Sequence, residues 1–200
     1  MKQINLRGRK DMSEKIAVIF PGIGYTCDKP LLYYAGKFAQ ENGYEVVRVP
    51  YGGFPKKVKG DRKKMEKSFA LALDQSREML KDMNWEDYEE ILFISKSIGT
   101  AVAAAFGKEK GLKVRHVFFT PLKETFSFGV TEAVAFHGSA DPWAEDADIE
   151  KGCREAGIPL YITERANHSL ETGDTAEDLK NLILAQRQAL DFILGGRNKG

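Results

Sequence analysis

The length, composition and charge of the chain suit one globular domain and exclude several classes of protein. Its 200 residues include 30 Lys and Arg against 29 Asp and Glu, for a formal charge of +1, whereas a domain that binds nucleic acid is usually strongly basic. No apolar run approaches the length of a membrane span, and the polar residues 1–15 lack the apolar core of a signal peptide. We therefore expect a soluble, cytoplasmic protein with neither a nucleic-acid partner nor a membrane partner.

The predicted elements alternate between strands and helices along most of the chain. Residues 1–14 have no clear pattern and are either loose or an edge strand. Short apolar runs predict strands, and apolar residues at helical spacing predict helices. In chain order these are strand 15–20, a helix that begins at the cap Asp28 with Pro30 and ends at Gly43, strand 44–50, helix 65–83, strand 91–94, helix 100–106, strand 113–120, strand 132–137, helix 148–156, strand 158–163, and a helix that is capped by Asp174 or Thr175 and stops at Gly195. Residues 121–129 fit neither class.

This alternation determines the predicted architecture. Strand–helix repeats imply parallel pairing with right-handed crossovers, so that helices cover both faces of the sheet. The fold class is therefore predicted to be α/β, a three-layer sandwich with a mostly parallel sheet of about six strands. No internal repeat, low-complexity tract or linker divides the chain, so residues 1–200 are predicted to form a single domain.

The segment between the third strand and its helix carries the strongest chemical signal. Here Ser95-Lys96-Ser97-Ile98-Gly99 joins the strand to an Ala-rich helix, with small residues two positions before and two positions after Ser97. A strained turn at such a junction pushes the middle serine out of the sheet, and only small neighbours let the helix pass close to the strand. The pattern indicates a nucleophile elbow.

With this elbow the chain resembles the α/β-hydrolase superfamily over nearly its whole length from residue 15. The motif is Ser-x-Ser-x-Gly instead of the commoner Gly-x-Ser-x-Gly. The usual first two strands of the superfamily are absent or reduced, and no insertion is large enough to form a separate cap domain. The resemblance is therefore to the compact, capless members with a minimal α/β-hydrolase fold, such as dienelactone-hydrolase-like serine hydrolases.

The resemblance implies a catalytic triad in the chain order Ser, acid, His, with each residue at the carboxyl end of a strand. Ser97 follows the third strand as the nucleophile, Asp141 follows the fifth as the acid, and His168 follows the sixth as the general base. Alternatives stay open. Asp141 could instead be an ordinary turn residue before proline, in which case Asp146 or Glu145 would be the acid. His168 could be a loop residue without a role.

The remaining histidines and the cysteines indicate no metal site. His116 lies within an apolar strand and is expected in the core. His137 ends the fifth strand, too close to Asp141 to be the base, and either lines the site or hydrogen-bonds beneath it. Histidines and cysteines lie far apart without ligand spacing, so no metal is expected. Cys27 and Cys153 give no disulfide framework, which fits a reducing compartment.

An oxyanion hole needs two backbone N–H donors. One is expected from Ile98, directly after the nucleophile at the start of its helix. The second is expected from the loop after the first strand, with Ile23 as the first choice and Gly24 as the second. Gly22-x-Gly24 could also start a dinucleotide fingerprint, but position 27 is Cys and the second strand ends without an acidic residue. We expect no cofactor.

Aromatic and basic residues near the predicted site are candidates for the substrate pocket, namely Tyr25, Lys96, Phe126, Phe128 and Trp143. An ordinary packing role between loop and core is equally open for Phe126, Phe128 and Trp143. Basic side chains cluster after the second strand, at Lys56, Lys57, Lys59, Arg62, Lys63, Lys64 and Lys67. They form either a solvated basic face or, with Lys96, a field that steers a carboxylate or phosphate substrate to the site.

Together these residues predict a serine hydrolase that cleaves a small-molecule ester or thioester, with an anionic substrate as one option. The same nucleophile, base and oxyanion hole would serve an acyltransferase or a peptidase. A non-catalytic binding protein on this fold is the alternative from another class. The sequence carries no signal for an oligomeric state.

Overall fold

A computed structural model describes residues 14–195 of the chain. The prediction for residues 1–14 lies outside the described residues, except for its last residue. The strands are β1 (Lys15–Phe20), β2 (Tyr44–Arg48), β3 (Glu90–Lys96), β4 (Arg115–Phe119), β5 (Ala133–Gly138) and β6 (Leu160–Thr163). The helices are α1 (Pro30–Glu41), α2 (Arg62–Met79), α3 (Ile98–Glu109), α4 (Asp146–Ala156) and α5 (Thr175–Ile193), with short 3-10 helices at Trp85–Asp87 and Lys123–Phe128.

The sheet has the predicted α/β architecture. Its six strands run in the order β2-β1-β3-β4-β5-β6, and every neighbouring pair is parallel. β3 lies at the centre of the sheet and is buried along almost its whole length, as expected of a parallel strand that is covered on both faces. The predicted three-layer sandwich is therefore confirmed.

Helices cover the two faces of the sheet in separate groups. Alternating side chains of β1 point to opposite faces, so Ala17 and Ile19 pack with α1 and α5, whereas Ile16, Val18 and Phe20 pack with α2 and α3. α4 adds a third cluster on the α3 side, against β4 and β5. These apolar clusters fix the sheet between the helix layers and hold its carboxyl edge in place.

The strand order places a crevice at the centre of that edge. β1 pairs with β2 on one side and with β3 on the other, so the chain changes direction across the sheet at this point. Loops that leave neighbouring strands in opposite directions open a crevice where open α/β sheets bind ligands. The loop after β1 and the elbow after β3 therefore border the same opening.

Several element boundaries differ from the predictions. α2 begins at Arg62, earlier than residue 65, because the carboxylate of Asp61 accepts a hydrogen bond from the backbone N–H of Lys64 at 3.1 Å and caps the helix. It ends at Met79, before residue 83. α4 begins at Asp146, two residues earlier than predicted. Residues 121–129, which fitted neither class, contain the 3-10 helix at Lys123–Phe128.

The predicted helix caps had mixed outcomes. Pro30 occupies the first position of α1 as predicted, but Asp28 is not the cap. Its carboxylate instead accepts a hydrogen bond from the guanidinium of Arg48 at 2.7 Å. Of the two candidates for α5, Asp174 is the cap, since its side chain accepts hydrogen bonds from two N–H groups of the first turn.

Two further findings bear on the sequence-based expectations. None of the helices between residues 14 and 195 combines the length and hydrophobicity needed to cross a lipid bilayer. Cys27 and Cys153 are both buried free thiols. Burial raises the pKa of both thiols, so neither has the low pKa that marks a reactive cysteine.

Candidate active site

Ser97 lies in a strained turn between β3 and α3. Its backbone has φ 55° and ψ −127°, a conformation that non-glycine residues rarely adopt and that costs roughly 1–3 kcal/mol. The backbone N–H of Ser97 donates to the carbonyl of Phe119 at 3.0 Å. Its carbonyl accepts from both the N–H and the hydroxyl of Thr100, at 2.9 and 2.7 Å. The surrounding hydrogen bonds therefore hold the serine in the geometry of an elbow.

The small residues on either side of Ser97 have the steric role that the sequence suggested. A Cβ atom on Gly99 would lie 2.4 Å from the carbonyl oxygens of Phe20 and Pro21, too close for any side chain. Ser95 is fully buried beneath the turn. α3 can therefore begin directly against the end of β1, which brings the loop after β1 next to Ser97. A Cβ on Gly22 in that loop would lie 3.2 Å from the Ser97 Cβ.

The predicted acid and base are hydrogen-bonded to each other. The Nδ1 atom of His168 lies 2.6 Å from Oδ2 of Asp141. The other carboxylate oxygen accepts the backbone N–H of Trp143 at 2.8 Å, and the Asp141 side chain is fully buried. His168 Nε2 is also buried and has no hydrogen-bond partner among residues 14–195. The second ring nitrogen is therefore available to a reacting group.

Ser97 and His168 line one cavity of about 190 Å³, here called the inner cavity. It opens beside the outer cleft, a larger space of about 840 Å³ between the start of α2, the loop before α4 and the Lys123–Phe128 helix. Met65, Ile98 and Trp143 line both spaces. The inner cavity and the outer cleft are thus two compartments of one site at the carboxyl edge of the sheet.

The loops that carry Asp141 and His168 are joined by a close contact that only glycine permits. A Cβ on Gly138, the last residue of β5, would lie 2.3 Å from the carbonyl oxygen of Ala166 and 2.6 Å from that of Asn167. The backbone N–H of Ala140 also donates to the carbonyl of Ala166 at 2.9 Å. The sequence interpretation did not identify this role of Gly138, although a glycine at the end of a strand signals a close backbone approach.

Asn167 fixes the turn that presents His168. Its side-chain oxygen accepts the backbone N–H of Ser169 at 2.7 Å and that of Glu171 at 3.3 Å, and its own N–H donates to the carbonyl of Glu171 at 2.8 Å. Leu170 has φ 59° and is buried in the core, which anchors the turn from below. The Asx turn was also missed, although Asn before a polar residue in a loop is a typical signal for one.

The structure places the alternative acids away from His168. Asp146 Oδ1 lies 2.8 Å from Nε2 of His137, and Glu145 precedes α4 at the rim of the outer cleft. His137 is fully buried, and its Nδ1 lies 3.8 Å from Oδ2 of Asp141. This Nδ1 has no hydrogen-bond partner among the described residues, and His137 lines neither cavity, so of its two options only hydrogen bonding outside the cavity, through Nε2 to Asp146, agrees with the geometry.

His116 lies in the core, as its sequence context suggested. Its ring packs edge-on against Phe93 and close to Phe118. Burial lowers its pKa to about 3, because the interior disfavours the charged imidazolium. Among residues 14–195, no group of His, Cys, Asp and Glu side chains is arranged to hold a metal ion.

Three backbone N–H groups lie around the inner cavity as candidate oxyanion donors. Ile98 is the first residue of α3, where N–H groups have no partner within the helix and the helix dipole favours an anion. In the loop after β1, Gly22 and Tyr25 exchange backbone hydrogen bonds at 3.0 and 3.3 Å. This turn uses the N–H groups of Gly22 and Tyr25, whereas those of Ile23 and Gly24 have no backbone partner among the described residues.

The predicted pocket residues divide between the two compartments. Tyr25 and Lys96 line the inner cavity, Phe128 lines the outer cleft, and Trp143 lines both while its ring stacks on His168 at a centroid distance of 5.6 Å. Phe126 lines neither compartment. It packs against α4, where a Cβ on Gly152 would lie 2.3 Å from the Phe126 ring.

Burial perturbs the ionisable groups of the inner cavity. It lowers the pKa of His168, with the ammonium of Lys96 acting in the same direction and the hydrogen bond to Asp141 opposing both. Burial also lowers the pKa of Lys96 to about 7 and raises that of Tyr25 to about 12. His168 therefore stays neutral, and able to accept a proton, down to a lower pH than an ordinary histidine does.

The basic cluster after β2 is mostly a solvated surface. Lys56, Lys57, Lys59, Lys63 and Lys67 are exposed. The guanidinium of Arg62 pairs with Glu66 at 2.8 Å. Of the cluster, only Lys59 and Arg62 border the outer cleft among the described residues.

Comparisons with known proteins agree with this fold. No protein-family model and no curated protein matches the sequence. Similar solved structures include an α/β serine hydrolase without lid from Xanthomonas campestris, at 12% identity and a TM-score of 0.63 over 97% of this chain and 87% of that one. They also include an α/β serine hydrolase homologue from Coxiella burnetii, at 14% identity and a TM-score of 0.62 over 94% and 86%.

A third similar structure is Est1E from Butyrivibrio proteoclasticus with ferulic acid bound, at 13% identity and a TM-score of 0.68 over 93% of this chain and 91% of that one. At these identities the likeness establishes the fold. The chain has the α/β-hydrolase fold in a compact form, and residues 14–195 contain no inserted cap domain.

Proposed function

We propose that the protein is a serine hydrolase that cleaves an ester or thioester through an acyl-enzyme, with Ser97 as nucleophile, His168 as general base and Asp141 as the orienting acid. The observation that carries the proposal is the 2.6 Å contact between His168 Nδ1 and Asp141, combined with a His168 Nε2 that has no partner within residues 14–195 at the cavity that Ser97 lines. The solved structures with this fold include serine hydrolases and an esterase, which supports the same reaction class.

In the acylation step, His168 Nε2 accepts the proton of the Ser97 hydroxyl as its oxygen attacks the substrate carbonyl. The new bond joins Ser97 Oγ to the carbonyl carbon, and the carbonyl oxygen becomes an oxyanion. Asp141 accepts the Nδ1–H of His168 and stabilises the imidazolium that forms. The bond to the leaving group then breaks, and His168 passes the proton to the departing oxygen or sulfur.

In the second step, water replaces the leaving group. His168 accepts a proton from water, the water oxygen attacks the acyl carbon, and the bond between that carbon and Ser97 Oγ breaks as the serine regains its proton. The N–H of Ile98, with that of Ile23 or Gly24, would stabilise the oxyanion in both steps. Removing one such donor typically costs about 2.7–4 kcal/mol of transition-state stabilisation.

The outer cleft is suited to the larger part of the substrate. Its volume of about 840 Å³ lies within the range for small-molecule sites. Phe69 and Phe128 stack at 6.0 Å on its wall, beside Trp143. These surfaces favour an apolar or aromatic group, whereas the inner cavity has room only for a short one.

Labelling with a fluorophosphonate tests the proposal directly. This reagent reacts with serines that a neighbouring base activates, so the wild-type protein should become labelled and peptide mass spectrometry should locate the label at Ser97. A protein without label at Ser97, although folded and able to bind small molecules, would contradict the hydrolase mechanism and favour a binding protein. Hydrolysis of p-nitrophenyl acetate provides the turnover assay for the variants below.

Gly138→Ala should disrupt the site without touching any proposed catalytic side chain. The new Cβ would overlap the carbonyl oxygens of Ala166 and Asn167, so the loop must move and carry His168 away from Asp141. A displacement near 1 Å costs about 10²-fold in rate, and overpacking costs about 1–3 kcal/mol of stability. Both kcat/KM and the free energy of unfolding in urea should therefore fall.

Gly52→Ala is the matched control for this substitution. Gly52 does not have a positive φ, and a Cβ there would have no neighbouring atom within 4 Å. This variant should retain wild-type turnover and lose little stability. Wild-type kcat/KM in Gly138→Ala would show that the contact between the loops is not needed to place His168.

A further inference from the structure

One buried charge has no part in the mechanism above. Lys96 is 2% exposed, and its ammonium nitrogen lies 4.6 Å from the centroid of the Tyr25 ring. Among residues 14–195 this ammonium makes no hydrogen bond and no ion pair with a carboxylate. Lysines are almost never fully buried unless they are paired, because an isolated charge in the interior is costly. Among the described residues, Lys96 is therefore a buried amine without a carboxylate partner.

The charged groups around Lys96 do not neutralise it. Asp141 and Glu171 favour its protonated form, but Asp141 is engaged by His168 and Glu171 is exposed to solvent. His168 is repelled by the same ammonium. The remaining neighbour, Tyr25, presents its ring face, and its hydroxyl oxygen accepts the N–H of a residue in α1. Within residues 14–195, no group supplies a negative charge in contact with the Lys96 ammonium.

Lys96 lines the compartment in which the reaction would occur. The inner cavity is bordered by Lys96, Ser97 and His168 and by Ile23 and Gly24. Its volume of about 190 Å³ equals that of about six water molecules in the liquid. A group that contacts the ammonium would therefore lie within a few bonds of a carbonyl carbon at Ser97.

The leaving group has a separate exit. Trp143 stacks on His168, which would protonate the leaving group, and also lines the outer cleft. A leaving group beside His168 would therefore pass along Trp143 into the outer cleft. The acyl part then stays in the inner cavity with Lys96.

We propose that Lys96 binds a carboxylate in the acyl part of the substrate, so that the protein hydrolyses half-esters or half-thioesters of short dicarboxylic acids. This inference rests on the proposed hydrolase function and specifies its substrate class. One carboxylate matches one ammonium, whereas a phosphate dianion would bring a second negative charge for which the inner cavity has no cation among the described residues. Lys96 is then a specificity residue beside the nucleophile.

Two p-nitrophenyl esters with the same leaving group test this preference. One is the ester of glutaric acid with its second carboxylate free, and the other is the ester of monomethyl glutarate, which is neutral. Spontaneous hydrolysis is subtracted with Ser97→Ala protein as the blank. The wild-type protein should show a kcat/KM ratio of about 10- to 100-fold in favour of the anionic ester at pH 6, as expected for a buried contact between charged partners.

Substitution of the lysine should remove this preference. Lys96→Met keeps most of the length of the side chain and removes the charge, so the ratio should fall to about 1 or below. Lys67→Met is the matched control, because Lys67 is exposed on α2 and lines neither compartment. It removes the same net charge, and its ratio should equal that of the wild type.

The pH dependence of the same kcat/KM ratio tests the contact between Lys96 and the substrate carboxylate without any variant. The pKa of Lys96 is about 7, so the ammonium loses its proton as pH rises through this value, while the substrate carboxylate stays ionised. kcat/KM reports ionisation of the free enzyme, and the ionisation of His168 affects both esters equally and cancels in the ratio. The preference should therefore decline with a midpoint near pH 7, and a constant ratio up to pH 9 would overturn the inference.

Binding of glutarate, measured by titration calorimetry, separates the two proposals because it needs no turnover. Wild-type protein at pH 7.5 should bind glutarate with uptake of a fraction of a proton, and Lys96→Met should bind it about 10-fold or more weakly. Glutarate binding without labelling at Ser97 would overturn the hydrolase function and keep the carboxylate site. Labelling at Ser97 without glutarate binding, and with an ester ratio near 1, would overturn the carboxylate site and keep the hydrolase.

Discussion

Ser97→Ala is expected to lower kcat for p-nitrophenyl acetate by about 10⁶-fold, because loss of the nucleophile in a serine hydrolase removes nearly all of the covalent catalysis. The fold should remain intact. Alanine keeps the Cβ atom, and the hydrogen bonds that hold the elbow come from the backbone of Ser97 and from Thr100. Turnover at the wild-type rate in this variant would remove Ser97 from the mechanism.

Ser97→Gly is the companion variant that separates activity from stability. Glycine adopts φ 55° without strain, so the roughly 1–3 kcal/mol stored in the turn is released. The added freedom of the unfolded chain offsets about 0.4–1 kcal/mol of this gain. Ser97→Gly should therefore be about as inactive as Ser97→Ala but more stable to urea by about 1 kcal/mol. A glycine variant less stable than the alanine variant would show that the turn is not strained.

Asp141→Asn is expected to lower kcat by about 10⁴-fold. Asparagine can donate a hydrogen bond to His168 Nδ1, which favours the tautomer with the proton on Nε2. That nitrogen then cannot accept the proton of Ser97, and the negative charge that stabilises the imidazolium is lost. Measuring kcat across pH 6–9 checks the result, since added base cannot restore the correct tautomer.

Asp146→Asn is the matched control for the acid. Asp146 contacts His137, not His168, so this substitution changes the charge of a neighbouring carboxylate while the Asp141 contact remains. Its effect on kcat should stay below about tenfold, as expected for a residue outside the triad. If Asp146→Asn lost more activity than Asp141→Asn, the acid would have to be reassigned to Asp146.

The sequence predicted the fold well because its signals are local. Apolar runs such as 15–20 and 91–94 are strands in the structure, and Pro30 and Asp174 lie where helix starts were expected. Errors occurred where a contact between remote residues overrides a local signal. Asp28 has the chemistry of a cap, but Arg48 on β2 binds its carboxylate instead, and this contact depends on strand pairing that no local pattern encodes.

The sequence suggested candidate site residues but not the contacts that support them. The resemblance to the α/β-hydrolase superfamily, with its chain order of Ser, acid and His at strand ends, suggested Asp141 and His168, and the structure places them in hydrogen-bond contact. The approach that joins their loops at Gly138 depends on the distance between two backbones that are remote in sequence. Similarly, a lysine next to a serine in sequence does not indicate whether its ammonium lies in solvent or in the interior. Only the packing around Lys96 determines that it is buried.

The order of the elements along the chain has a consequence for the newly made protein. Ser97 follows β3, and both sheet neighbours of β3 can form from residues that a ribosome releases well before the loop after β6 emerges. The residues that form the elbow are therefore released before His168. On the proposed mechanism, the hydroxyl would gain its base only when the segment after β6 docks, so the growing chain would not yet carry an activated serine.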